Sequence, residues 1–320
     1  MLSTKRRLRC EVVKVSIWHH LRSTWRHEPL RIGLRFGWGP LLLCLVRPLR
    51  VLQYRLEHQG LVSLPVRVGF ADKLTLEDPF RHLSRRYYLC RDLSVRQRVI
   101  FAYDHYFFES NAWKPDYYRA VYLRSGIELW SQALEGLKMD IKLCRPSIWD
   151  APEGDLEVQF NVNGLRFHRF AFSWLTPEVG PQPTLFIGLS QGMSRNQDAA
   201  DRAAVIAAFR RYFRPISAVF LCFAAVQGLA KVVGATEAYG VRGSQQIEGR
   251  TPSDVARFRI AYDRLWESLG GCDESGGIGF RIPLPVGSKL SHTPKESRKL
   301  RAQWTEIEAA TISILEPLRI

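Results

Sequence analysis

The sequence predicts an α+β fold, a mixed β-sheet with helices packed on it, preceded by a basic, helical N-terminal region. Three observations carry that prediction. Asn163-Gly164 stands between two alternating segments, and this dipeptide suits a two-residue type I′ turn because both central residues need positive φ. The second half of the chain reads in the order β-β-β-α-α-β-α-β, a hairpin and a buried strand followed by helical crossovers. Residues 1–60 carry twelve Lys or Arg against Glu11, Glu28 and Glu57, so charge is concentrated ahead of the sheet.

Composition bounds the classes. At 46% hydrophobic and 24% charged the chain sits near the globular average, which excludes disorder and fibrous repeats. No fixed period excludes solenoids and propellers. Of the net charge of +15, +9 falls in residues 1–60. Such an arm attracts polyanions: an anionic membrane surface, an acidic small-molecule donor, or nucleic acid. A basic surface also simply aids solubility, and charge alone does not choose. The absence of a helix-turn-helix, zinc-finger or RNP signature ranks nucleic acid last. The six cysteines at 10, 44, 90, 144, 222 and 272 form no CxxC pair and have no His at ligand spacing, which predicts reduced thiols.

The opening twenty residues lack the continuous apolar run of a secretory signal. Residues 216–233 are the one serious candidate for a membrane span. Gln227, Gly228 and Lys231 interrupt it, and a buried helix is the expectation. The expected location is the cytoplasm, with the inner-membrane surface as a docking place for the basic front.

In chain order, residues 1–80 read as a basic helical region broken near Pro29, Pro40 and Pro48, with Trp18, Trp25 and Trp38 among the arginines. Residues 61–80 read as a connector. Residues 81–137 read as helical. Ser94 caps a helix whose Val95, Val99, Ala102 and Tyr106 share one face, and a second helix over "PDYYRAVYLRSGIELWSQAL" starts at Pro115. Residues 138–320 form the α+β domain. Its strands are "IKLCRPSI", the two arms of the Asn163-Gly164 hairpin, "TLFIGLSQG", "EAYGVRG" and "GIGFRIPLP". Its helices are 201–213, 216–233 stopped by Gly234, Ser253 to about 269 stopped by Gly270-Gly271, and 295–318. A simple two-residue loop pairs Phe160 with Phe167 and Val158 with Arg169. The opposite face then sets Glu157, Gln159 and Asn161 against Phe170, His168 and Arg166, a half-polar face that suits solvent or a cleft.

Local motifs for chemistry are sparse. His105 and Glu109 stand at i, i+4 without a third ligand, and HExxH, P-loop and GxSxG signatures are absent. Cys272 has no His near it in sequence. Tyr262, Leu265, Trp266 and Leu269 fall on one side of a helix, as a core stripe does.

Blocks "EGDL" at 153–156, "IGLSQG" at 187–192, "YDRLWESLGG" at 262–271 and "PKESRKLRAQW" at 294–304, with "RRYYLC" and "AYDHYFF" before them, resemble the VirK/YbjX family over about residues 80–310. The resemblance implies a bacterial protein with an envelope- or virulence-associated role and no settled chemistry. That family tends to carry a His after the fifth strand, where this chain has Gln245 and Gln246. More remotely, the element order resembles the core of GNAT-type acyltransferases. That resemblance implies transfer of an acyl or aminoacyl group to an amine, with acyl-CoA or an aminoacyl donor. Ser190, Gln191, Gly192 and Arg195 would hold the donor's phosphates, Glu153 would be the base and Tyr262 the acid.

Overall fold

The computed structural model describes Gln53 and residues 87–320 apart from 124, 135, 147–152, 177–181, 194–198, 214–215, 250, 275–276 and 287–293. The basic region, its tryptophans and Arg195 lie outside the described residues. The chain divides into two compact units, Met1–Tyr88 with Leu93–Asn111, and Leu89–Asp92 with Ala112–Ile320.

The first unit contributes α1 (Val95–Ala112). Ser94 starts it as expected: its Oγ accepts from Gln97 N–H at 3.3 Å, and its own N–H donates to Gln97 Oε1 at 3.0 Å. This is a reciprocal capping box. The buried stripe is Arg98, Val99, Ala102, His105 and Glu109, rotated from the apolar face read off the sequence.

The second unit is an eight-stranded sheet in the order β1-β2-β3-β4-β5-β6-β8-β7, with helices packed on it, the predicted α+β class. Its strands are β1 (Ile127–Leu134), β2 (Leu137–Cys144), β3 (Leu156–Val162), β4 (Leu165–Leu175), β5 (Thr184–Gly192), β6 (Glu237–Gly240), β7 (Cys272–Asp273) and β8 (Phe280–Pro283). Every pairing is antiparallel except β5 with β6.

The helix expected from Pro115 is corrected. Only α2 (Pro115–Tyr118) and a π-turn (Arg119–Leu123) are helical, and β1 follows. Gly126 makes the break: its φ is +97°, and a Cβ there would lie 2.6 Å from Leu143 O. Ile127, Leu129 and Trp130 are then buried in a strand paired to β2. Burial of that apolar edge overrides a local pattern that also fits a helix.

The hairpin turn forms as its dipeptide predicts, with φ of +50° at Asn163 and +77° at Gly164. The register beyond it does not. Val162 pairs with Leu165 and Asn161 with Arg166, but Phe160 then pairs with His168, leaving Phe167 as an extra residue. Slipping a strand by one residue exchanges its two faces. Arg169 therefore joins the face of Glu157 and Gln159, and His168 and Phe170 turn to the apolar face.

Against that apolar face pack α4 (Ala218–Val233) and α7 (Pro294–Leu315), reached through α3 (Ala199–Phe213). Phe223 meets Phe170 edge-on, and Cys222 donates its thiol to Val158 O. Leu221, Phe223, Val226 and Leu229 are fully buried, each worth roughly 1.5–3 kcal/mol of transfer free energy. The polar interruptions in α4 are satisfied from α7. Gln227 and Lys231 both bind Glu308, and Gln227 Oε1 accepts from Val286 N–H at 2.7 Å. Gly228 lets the helices close, since a Cβ there would meet Thr311 Cβ at 2.8 Å. Gly234 ends α4 at φ +79°. Among the described residues no single helix is long and apolar enough to cross a membrane.

After β6 comes a 3-10 turn (Gly243–Gln245), then α5 (Pro252–Phe258), a π-turn (Arg259–Asp263) and α6 (Arg264–Ser268). The N-cap is Thr251, two residues before the expected start at Ser253. Thr251 and Asp254 form a capping box, and Pro252 occupies N1, where its missing N–H costs nothing. Gly270, at φ +81°, ends this run as expected.

Candidate functional site

The site begins where β5 leaves β6. Their parallel ladder covers only Leu185–Ile187 against Ala238–Gly240 and closes with Val241 N–H to Ile187 O at 2.9 Å. At that point β5 has a bulge: Phe172 pairs with Ile187 and Ala171 with Leu189, so Gly188 is left over. Only glycine fits there, because a Cβ would stand 2.1 Å from Glu153 O and 2.7 Å from Leu89 O. Beyond Gly188, β5 runs on to Gly192 beside β4, while the chain after β6 turns away into the 3-10 turn. A bulge beside a ladder's end re-aims side chains and opens the strand edge.

Two side chains fill the opened edge. Gln246 Nε2 donates to Gly188 O at 3.0 Å and to the Tyr262 hydroxyl at 2.9 Å. Ser190 N–H donates to the same hydroxyl at 3.2 Å. The two accepting oxygens fix the orientation of the Gln246 amide. The π-turn carries Tyr262 inward beside Trp266, whose indole N–H binds Val241 O at 2.8 Å. Of the predicted core stripe, Tyr262, Trp266 and Leu269 are buried and Leu265 is half-buried. Tyr262 is 4% exposed. Burial pushes its phenol up to about 12, opposed by the Ser190 and Gln246 donors, while the Glu153 charge adds to the rise. With both lone pairs accepting N–H groups, the phenol can still donate its own proton, and the resulting oxyanion would keep both donors.

On the neighbouring strand, His168 Nε2 lies 3.3 Å from Ser190 Oγ. Burial pushes this imidazole down to about 3, so it is neutral across the ordinary pH range. Next to it is a cavity of about 590 Å³, lined by His168 and Gly192 from the sheet, Arg210 from α3 and the start of α4. On the opposite face the bulge at Phe167 creates a buried charge pair. Arg169 Nη1 donates to Glu157 Oε1 at 2.6 Å and its Nε to Gln191 Oε1 at 2.8 Å, and Gln159 Nε2 completes Glu157 Oε2 at 2.7 Å.

Several predicted residues therefore meet. Glu153, Tyr262 and Ser190 converge on the Gly188 bulge, with Glu153 buried in the turn before β3. The Ser190 amide is engaged by Tyr262. Gln191 turns to Arg169 on the opposite face. Gly192 is exposed at the strand end, with nothing within 4 Å of where a Cβ would project. Sequence reasoning missed His168, Arg169 and Glu157 as partners, and it noted Gln246 without its role. The available signal was charged and amide residues inside strongly apolar strands.

Among the described residues no group of three or more His, Cys, Asp or Glu side chains is placed to hold a metal ion. The described cysteines 90, 144, 222 and 272 are free thiols. No curated protein matches the chain. One family model, described as a protein of unknown function (DUF535), matches residues 78–305, spanning the whole β5–β6 site. This match covers well over half of the 320 residues, so the chain belongs to the DUF535 family.

Proposed function

We propose that this protein is an acyl- or aminoacyl-transferase acting on an amine, with the VirK/YbjX-like, envelope- or virulence-associated role that its motifs suggest. The observation that carries the reading is the Tyr262 hydroxyl, held by Ser190 N–H and Gln246 Nε2 where the parallel β5–β6 pair ends. Ligands of open sheets favour the carboxyl ends of parallel strands, and the GNAT-like element order points to the same place. In this scheme the amine attacks the donor carbonyl, forming the C–N bond and breaking the bond to sulfur or oxygen. Glu153 accepts the amine proton, and Tyr262 gives its proton to the leaving group. The phenolate left behind is stabilised by the two N–H donors already in place. The Ser190 amide is spent on this task and Gln191 is held by Arg169 on the other face, so in this scheme the donor's phosphates fall to Gly192 and Arg195.

The test is thermal denaturation with CoA, acyl-CoAs, aminoacyl donors and nucleotides. A donor at a hundred times its Kd adds about 2.7 kcal/mol of stability. No stabilisation by any of them refutes the transferase. A second reading rests on the net +9 of residues 1–60: a non-catalytic protein docking on an anionic surface. It predicts binding to anionic vesicles that falls steeply with salt. Binding insensitive to salt refutes it.

A further inference from the structure

Resting on the transferase reading, we infer that the donor's acyl group is a linear hydrocarbon chain and that the cavity beside His168 holds it. The cavity of about 590 Å³ is far larger than an acetyl group requires. A methylene occupies about the volume of a water, near 30 Å³ in the liquid, so a chain of about a dozen carbons takes up roughly 360 Å³ and fits within it.

Its walls are mostly hydrocarbon. Phe167, Ile206, Phe209, Ile216 and Val219 supply aromatic and branched surface. The one lining group with a full charge, Arg210, is exposed, so its guanidinium sits toward water while its stem lies along the wall. At the inner end, His168 is 8% exposed and neutral, which adds no ion to the chamber.

The position fits the chemistry. His168 touches Ser190 Oγ at 3.3 Å, and Ser190 N–H binds the Tyr262 hydroxyl at 3.2 Å. The inner end of the chamber is thus one residue from the proposed acid. Gly192 pairs with His168 at the open strand end, lines the chamber and puts no side chain into it. The chamber follows from the same bulge that turned His168 to the apolar face. Without the extra residue at Phe167, Arg169 would point that way and put a charge in the chamber.

Titration calorimetry of the full chain with CoA, acetyl-CoA, octanoyl-CoA and lauroyl-CoA, below micellar concentrations, tests the inference. Affinity is expected to rise by up to about fourfold per buried methylene until the chamber is full. Ile206→Trp, which fills the chamber, is expected to abolish that rise while leaving the affinity for CoA unchanged. Val219→Phe serves the same purpose if circular dichroism shows Ile206→Trp to be unfolded. Equal affinity for CoA and every acyl-CoA overturns the chain inference and leaves the transferase standing. Chain-length-dependent binding of free octanoate and laurate, with no binding of any CoA compound, overturns the acyl-CoA donor and leaves only the aminoacyl form of the transferase. No binding of either kind of probe overturns the chain inference and the acyl-CoA donor together.

Discussion

Tyr262→Phe is the most direct probe of the β5 edge. The substitution keeps the ring and removes only the hydroxyl, so no cavity complicates the result. Two N–H donors lose their acceptor, Ser190 at 3.2 Å and Gln246 at 2.9 Å. Ser190 N–H is left without the partner it has at this edge, and an orphaned buried donor costs about 1–3 kcal/mol. Gln246 keeps Gly188 O at 3.0 Å and forfeits only a net bond, about 0.5–1.5 kcal/mol. The expected loss is roughly 2–4 kcal/mol, or about 4–16 °C in Tm for a unit of about two hundred residues. Urea denaturation at pH 7 measures it, with Gln246→Leu and the double variant completing a cycle. Because both act on one oxygen, the double variant should cost about 1 kcal/mol less than the sum. A Tyr262→Phe protein within about 0.5 kcal/mol of wild type, or a strictly additive cycle, would show that the hydroxyl does not hold this edge.

Arg169→Met should cost about 3–5 kcal/mol, because Glu157 is fully buried and would be left without the cation that compensates it. Adding Glu157→Gln should recover most of that loss, and urea midpoints that do not recover would contradict the pairing. Gly188→Ala should destabilise by several kcal/mol, since its Cβ would meet Glu153 O at 2.1 Å, whereas Gly192→Ala meets nothing and should stay within about 1 kcal/mol. Equal unfolding midpoints for the two alanines would remove the close approach at the bulge. His168 has a depressed folded pKa of about 3 against an unfolded 6.5, so the fold favours its neutral form. Its site therefore costs nothing above about pH 6.5. As pH falls from there to about 3, stability is lost at about 1.4 kcal/mol per unit. His168→Gln should flatten this acid limb in urea titrations between pH 7 and 4. A wild-type-minus-variant difference that stays constant with pH would show His168 is not held neutral.

Much of the local structure was legible in the sequence. Asn163-Gly164 specifies positive φ at two adjacent residues, Gly234 and Gly270 end their helices, and Ser94 opens α1 with Gln97. These are short-range choices, decided by backbone freedom and by side chains within a turn of their targets. The core stripe of Tyr262, Trp266 and Leu269 was legible for the same reason, since a helix fixes which residues share a side.

What the tertiary structure decided is register. The residue left over at Phe167 moved Arg169 to Glu157 and His168 to the apolar side, and the one left over at Gly188 opened β5 to Gln246 and Tyr262. The strand at 127–134 likewise exists because β2 is there to pair with it. Each outcome depends on partners far along the chain, whose packing outweighs the small local preferences of the residues concerned. A single extra residue in a ladder leaves almost no mark on periodicity, yet it reverses which face every later side chain serves.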